Sequence, residues 1–200
     1  METLTLRIIR GVFIDFDGTI YAGDSFRDAC FSIPSVPQKF YLLFLHCFAV
    51  IRWVKLETLK RVGTSILLSH RETEAYRKFV KTAELKIWQD FAQQAISSGD
   101  EAVVVTASPE FLVDDILSHV NFGKEITVVG SKFQDSRFLH VFGEDKRHSF
   151  RLGYQAVEDL SEIHFWGDSD ADLRLLPYVD KFFLCTKGKV VQEIQGLRSL

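Results

Sequence analysis

One stretch constrains this chain more than any other: Val12-Phe13-Ile14-Asp15-Phe16-Asp17-Gly18-Thr19-Ile20. An apolar run bounded by a glycine reads as a short buried strand, yet this one closes by directing two carboxylates at one place. In an extended chain Asp15 and Asp17 share a face, while Phe13 and Ile14 are absorbed by the core. Two desolvated acids held that close repel unless a cation sits between them or one takes a proton. A hard divalent ion such as Mg²⁺ answers the first need, because it binds through a few carboxylates and keeps positions for waters and phosphate oxygens. Asp-x-Asp-Gly by itself also suits a surface turn. The apolar strand in front of it favours a strand's carboxyl end, where open α/β sheets place their ligands.

Charge and cysteine usage narrow the setting. At 200 residues the chain is expected to form one domain, or one with a sizeable insertion. Its net charge of −3 is uneven: residues 23–86 hold 11 Lys/Arg against 6 Asp/Glu, a balance of +5, and the remainder holds 13 against 21, or −8. A basic insertion beside an acidic core suggests a metal-binding centre served by an anion-attracting lid. Cys30, Cys47 and Cys185 are widely spaced and odd in number, which fits reduced thiols in a cytoplasmic compartment. Asp15 and Asp17 interrupt the early apolar run, so no signal peptide is expected.

Along the chain, Leu6 to Ile14 predicts the first strand, and Pro34 and Pro37 punctuate a turn. Residues 40–51 are almost continuously apolar. The run is too short for a transmembrane helix, which needs about 20 apolar residues, and reads first as a buried helix. Arg52, Lys55, Lys60 and Arg61 follow it, which keeps a membrane-surface helix as the other reading. Tyr76, Phe79, Val80, Ala83, Ile87, Phe91 and Ala95 form one helical stripe over residues 72–97, with a break near 84–86 and Gly99 as its stop. Residues 102–106 lack alternation, as a strand buried on both faces should. Ser108 as N-cap and Pro109 at the first helical position then open a helix to about Asn121. A strand over 126–129, a hairpin around Asp135-Ser136, a helix over 146–157, strands over 163–166 and 182–184, and a hairpin turn at Lys187-Gly188-Lys189 complete the pattern. Strands alternating with helices predict an α/β fold, a parallel sheet with helices on both faces. The aromatics are not interleaved with Lys/Arg in glycine-rich loops, so nucleic acid is not an expected partner.

Four pieces end at strand tips or helix starts: Asp15/Asp17, Thr106, Lys146 and Gly167-Asp168-Ser169-Asp170-Ala171-Asp172. Each has a dull explanation alone, such as a helix start that favours acids. Taken in order, Asp-Phe-Asp-Gly-Thr, Val-Thr-Ala-Ser-Pro, Gly-Glu-Asp-Lys and Gly-Asp-Ser-x-x-Asp-Leu resemble the four-motif signature of the haloacid dehalogenase (HAD) superfamily. The resemblance is closest to its phosphoserine-phosphatase-like branch. That branch carries a helical cap of the C1 type just after the first motif, which implies a Rossmann-like core of residues 1–22 and 87–200 and a cap of residues 23–86. Gly-Asp-Ser-Phe at 23–26 and the Thr-Ala-Ser-Pro motif are also similar to the subgroup containing bacterial phosphatidylglycerophosphate phosphatases.

The resemblance implies a Mg²⁺-dependent phosphatase that hydrolyses a phosphate monoester through an aspartyl-phosphate. Asp15 would be the nucleophile and Asp17 the general acid and base. Mg²⁺ would be held by the Asp15 carboxylate, the Asp17 backbone carbonyl and Asp168, with Asp172 steadying that set or a metal water. Thr106 and the Ala107 amide would bind phosphoryl oxygens, and Lys146 would neutralise charge on nucleophile and phosphoryl group. Many phosphoserine phosphatases have a glycine-rich second motif; here Pro109 removes an amide donor. No set of residues for reading an amino acid's two charged groups is evident, so the ester is left open between a small phosphoserine-like metabolite and a lipid phosphate, with peripheral membrane contact in the second case. A phosphomutase and a non-catalytic binding protein of the same fold are the alternatives. The oligomeric state is not fixed by the sequence.

Overall fold

The computed structural model describes residues 9–135, 137–141, 146, 150 and 160–198. Strand β1 (Arg10–Ile14) lies at the centre of a seven-stranded sheet. The other strands are β2 (Glu101–Pro109), β3 (Thr127–Gln134), β4 (Arg137–Leu139), β5 (Glu162–Gly167), β6 (Lys181–Cys185) and β7 (Val190–Gln195), in spatial order β4-β3-β2-β1-β5-β6-β7. The five inner strands run parallel, and β4 and β7 are antiparallel edges. This is the α/β fold expected from the sequence.

Alternation along β1 feeds both faces of the sheet. Val12 and Ile14 join a core with α5 (Gln89–Ser97) and α6 (Glu110–Leu117), while Phe13 joins Val103, Val105, Phe150, Ile163 and Phe165 on the other face. Phe13, Ile14 and Phe165 are fully buried, worth roughly 1.5–3 kcal/mol each.

Between β1 and α5 come α1 (Ser25–Ser32), α2 (Val36–Val50), α3 (Leu56–Ser69) and α4 (Glu74–Glu84). The chain leaves and re-enters the core through paired segments: the Ala22 amide donates to the Lys86 carbonyl (2.8 Å) and the Trp88 amide to the Ile20 carbonyl (3.0 Å). The helices pack back onto the core, where Asp115 on α6 accepts from Arg71 Nε and an Nη (2.9 and 2.7 Å) and from the Tyr76 hydroxyl (2.6 Å).

Several expectations change in detail. The helical stripe breaks after Glu84, as expected, and gives α4 and α5. Pro37 lies inside the first turn of α2, which starts from Ser35 through a capping box with Gln38. That helix was expected to be buried, yet among its fifteen residues only Leu42 and Leu45 are. Gly99 follows directly on Ser98, the C-cap of α5, so the helix stops where expected. A Cβ there would also meet Val12 Cγ2 at 2.4 Å and the Arg10 carbonyl oxygen at 2.9 Å, so close approach to β1 requires a glycine as well. Ser108 is not the N-cap of α6: β2 runs on through Pro109, which occupies that position without a side-chain bond, and the Ser108 hydroxyl is used elsewhere. The hairpin β3–β4 pairs Phe133 with Phe138. Lys187 and Gly188, both at positive φ (51° and 67°), turn β6 into β7 as expected. The helix expected over 146–157 lies outside the described residues except for Lys146 and Phe150, as does the expected start of the first strand at Leu6.

Candidate active site

Parallel register gathers the site. Ile14 pairs with Val104 of β2 and Trp166 of β5, and the Asp15 amide extends the ladder to the Trp166 carbonyl at 2.8 Å. Asp15 and Asp168 therefore emerge just past the ends of β1 and β5, with Thr106 beside them in the irregular last stretch of β2. The chain passes from β1 to β2 on one side and reaches β5 on the other, so this is the crevice where strand order reverses.

After Asp15 the backbone curls into a compact turn, with the Ile20 and Tyr21 amides on the Phe16 carbonyl (3.0 and 2.9 Å). Gly18 is obligatory in it. Its φ is +82°, and a Cβ would lie 1.9 Å from Asp168 Oδ2.

Asp15, Asp168 and Asp172 form a carboxylate group in which one oxygen from each lies within 4.8 Å of the others. Lys146 reaches into it: its Nζ donates to Asp15 Oδ1 (2.6 Å) and to Asp172 Oδ1. Asp172 Oδ2 accepts from the Ser169 hydroxyl (2.8 Å) and amide (3.3 Å), so both its oxygens are spent on protein groups. Among the described residues Asp15 Oδ2 meets only the Thr19 hydroxyl at a long 3.4 Å, and Asp168 is exposed. The donor oxygens least engaged among the described residues thus belong to Asp15 and Asp168.

Burial drives the protonation behaviour. It pushes the Asp15 carboxyl up to about 8, with Lys146 opposing and Asp172 adding to the rise. Burial would lower Lys146, but Asp15 and Asp172 outweigh it and hold the ammonium firmly protonated. Asp168, although exposed to solvent, is raised by partial desolvation from the protein around it and then by Asp172.

Asp17 is treated differently. Its Oδ1 accepts from the Ser25 amide and its Oδ2 from the Ser108 hydroxyl, both at 2.6 Å, and Ser108 in turn accepts from the Ser25 hydroxyl at 3.0 Å. Burial raises its pKa, partly offset by the Ser108 bond. Ser25 and Ser108 were not anticipated from the sequence, and neither was Thr19. The only signals were a serine opening α1 and one preceding a proline, each with an ordinary local reading.

Thr106 is fully buried, and its Oγ1 accepts from the Ser108 amide at 3.0 Å. The Ala107 carbonyl accepts from Ser131 Oγ at 2.9 Å. Beside Asp168 opens a cavity of about 630 Å³ lined by Gly18, Gly23, Trp88, Cys185 and Lys187. Burial pushes the Cys185 thiol up to about 12, so it stays protonated and is no nucleophile for this cavity.

A central parallel sheet with an acidic cluster at its switch point and a helical insertion after the first strand defines an open α/β architecture with its candidate site at the strands' carboxyl ends. The family profile of haloacid dehalogenase-like hydrolases matches residues 12–177, and the chain belongs to that family. No curated protein matches it significantly in sequence. Among solved structures, a protein of unknown function from Bordetella pertussis Tohama I is similar at 18% identity and TM-score 0.71, over 89% of this chain and 90% of that one. A phosphoserine phosphohydrolase-like protein from Francisella tularensis subsp. tularensis SCHU S4 matches at 13% identity and TM-score 0.55, over 88% and 87%. A phospho-aspartyl intermediate analogue of phosphoserine phosphatase matches at 14% identity and TM-score 0.52, over 89% and 86%. At these identities the likeness is one of fold.

Proposed function

We propose that this hydrolase is a Mg²⁺-dependent phosphatase acting on a phosphate monoester, with residues 23–86 as a cap over the core of residues 1–22 and 87–200. The observation that carries the reading is the unequal treatment of two carboxylates at one strand end: Asp15 on the Lys146 ammonium, Asp17 tethered by hydroxyl and amide with its pKa raised.

The donor set suits the metal. Asp15, Asp168 and Asp172 with Lys146 sum to two negative charges and offer hard oxygens only, which fits one hard divalent cation. Asp15, the Asp17 backbone carbonyl and Asp168 would hold it. Asp172, spent on Lys146 and Ser169, would steady the arrangement. The ion's chemistry there is to draw the raised carboxyls back to their ionised forms and to neutralise phosphoryl charge.

The chain's own residues supply the rest. Asp15 attacks phosphorus in line, the leaving alkoxide takes the Asp17 proton, and Asp17 then takes a proton from the water that opens the aspartyl-phosphate. Thr106 and the Ala107 amide bind phosphoryl oxygens. Lys146 balances charge on the nucleophile and phosphoryl group, and Lys187 at the cavity rim adds a cation for an incoming phosphate. An alkoxide needs a proton where a halide does not, so the presence of Asp17 favours phosphate chemistry over dehalogenation.

The test is phosphate release from an aryl phosphate, with and without Mg²⁺, by the protein and its Asp15→Asn variant. Metal-dependent release that the variant loses while keeping its circular dichroism is the expected result. A variant that hydrolyses at near-normal rate removes Asp15 from the role. No release by the unaltered protein from any of a panel of monoesters, phosphoserine and lipid phosphates included, leaves a binding protein.

A further inference from the structure

The outward face of α2 is the least explained surface of the molecule. Leu42 and Leu45 point inward. On the opposite side Val36, Phe40, Leu43, Phe44 and Val50 share one helix face at steps of three, four and seven, and Phe40, Phe44 and Val50 are 68%, 58% and 69% exposed. Beyond the helix Trp53 is 76% exposed. A row of rings holds it there, Phe44 against Phe48 at 4.3 Å and Phe48 against Trp53 at 5.3 Å between centroids. A contiguous apolar face of this kind marks an interaction surface.

Its charge says what it meets. From Ala29 to Leu56 there is no Asp or Glu, while Lys39, Arg52 and Lys55 are all present. Arg52 and Lys55 are exposed beside Trp53, with Arg52 held at positive φ (62°) in the turn that ends α2. An apolar helix face continued by an exposed tryptophan and two cations in the adjoining turn, with Glu57 the nearest acid after them, is the combination that seats a helix in the headgroup layer of an anionic bilayer. Among the described residues no helix is long and apolar enough to cross a membrane.

We propose that the α2 face, extended by Arg52, Trp53 and Lys55, docks this protein on the surface of anionic membranes. The proposal stands apart from the phosphatase reading, because none of its residues belongs to the acidic site. Each cation near an anionic surface strengthens binding about fivefold, so removing two should weaken it about 25-fold.

The experiment uses the full chain with phosphatidylglycerol/phosphatidylcholine vesicles and with pure phosphatidylcholine vesicles, at low and high salt. Co-sedimentation and tryptophan emission are read together, with Trp53→Phe identifying the emitter. Sedimentation with the anionic vesicles, weakened by salt and accompanied by a blue shift that Trp53→Phe removes, is the expected result. Arg52→Gln/Lys55→Gln should weaken it about 25-fold, and Phe40→Ser/Phe44→Ser should abolish it. Both variants change exposed positions, so circular dichroism and turnover of a soluble aryl phosphate should stay those of the parent. No sedimentation with anionic vesicles at low salt overturns the proposal, as does binding that neither variant weakens. A lipid-free dimer in light scattering that Phe40→Ser/Phe44→Ser dissociates also overturns it, by giving the face to a second copy of this chain.

Discussion

Both carboxylate oxygens of Asp17 are engaged, one by the Ser25 amide and one by the Ser108 hydroxyl, so the side chain has a fixed direction before any substrate arrives. If Asp17 supplies the proton to the leaving group, Asp17→Asn should reduce turnover about 10²–10⁴-fold. The loss should be larger for alkyl than for aryl phosphates, because aryl leaving groups need less protonation; equal losses would contradict the assignment. Ser108→Ala removes one tether and leaves the acid in place. A hydrogen bond of about 1–1.5 kcal/mol corresponds to roughly a tenfold fall in kcat, with KM little changed and the same alkyl bias. A rise in KM at unchanged kcat would give Ser108 a binding role instead. The aspartates of the acidic cluster were legible from their order along the chain and the motifs that hold them, although each has an ordinary reading alone. Ser108 was not, because a serine before a proline reads as a helix cap. Only the third dimension carries its hydroxyl to Asp17, 91 residues away in sequence.

At the level of elements, most of the helices and strands followed from periodicity, and the misreadings share one cause. Residues 40–51 are apolar on nearly every side of α2, so the pattern has no preferred direction and burial could not be assigned from it. The structure turns only Leu42 and Leu45 inward. Gly99 follows the end of α5 as read, but it also answers to a neighbouring strand that a local reading does not contain. A third element-level contact was invisible for the same reason: Asp115 on α6 receives Arg71 and Tyr76 from the insertion. Asp115→Ala leaves a buried phenol and a partly exposed guanidinium without their acceptor, and should cost about 1–3 kcal/mol. Urea unfolding would show it as a lower midpoint at unchanged slope. An unaltered midpoint would make the contact incidental.

For the molecule as a whole, the parallel sheet and the placing of acids at its carboxyl edge were readable from alternating elements, whereas the order of strands needed the structure. Concentrating acids in a buried cleft has a thermodynamic consequence. Asp15 (to about 8), Asp17 and Asp168 all have raised pKa values, with burial the first cause in each. An acid raised on folding favours the folded state in its protonated form. That contribution is complete below the unfolded value of about 4 and is lost as pH rises through the folded values. Lys146, raised as well, stays protonated across this window and adds no slope. In chelator the melting temperature should therefore fall between about pH 4 and 8, and added Mg²⁺ should restore more at pH 8 than at pH 5. A melting temperature in chelator that is flat or rising over that range would contradict it. The two hydrogen bonds that join residues 20–22 to 86–88 bear on a different question. They bring the two ends of the four-helix excursion together, so the chain leaves and rejoins the core at one place. Closing a longer loop costs only logarithmically more. The outer parts of the excursion, such as the exposed face of α2, can thus change over evolutionary time while Ser25 and the buried faces of α1 and α4 keep their places against the core, leaving surface chemistry free to diverge around a floor that stays put.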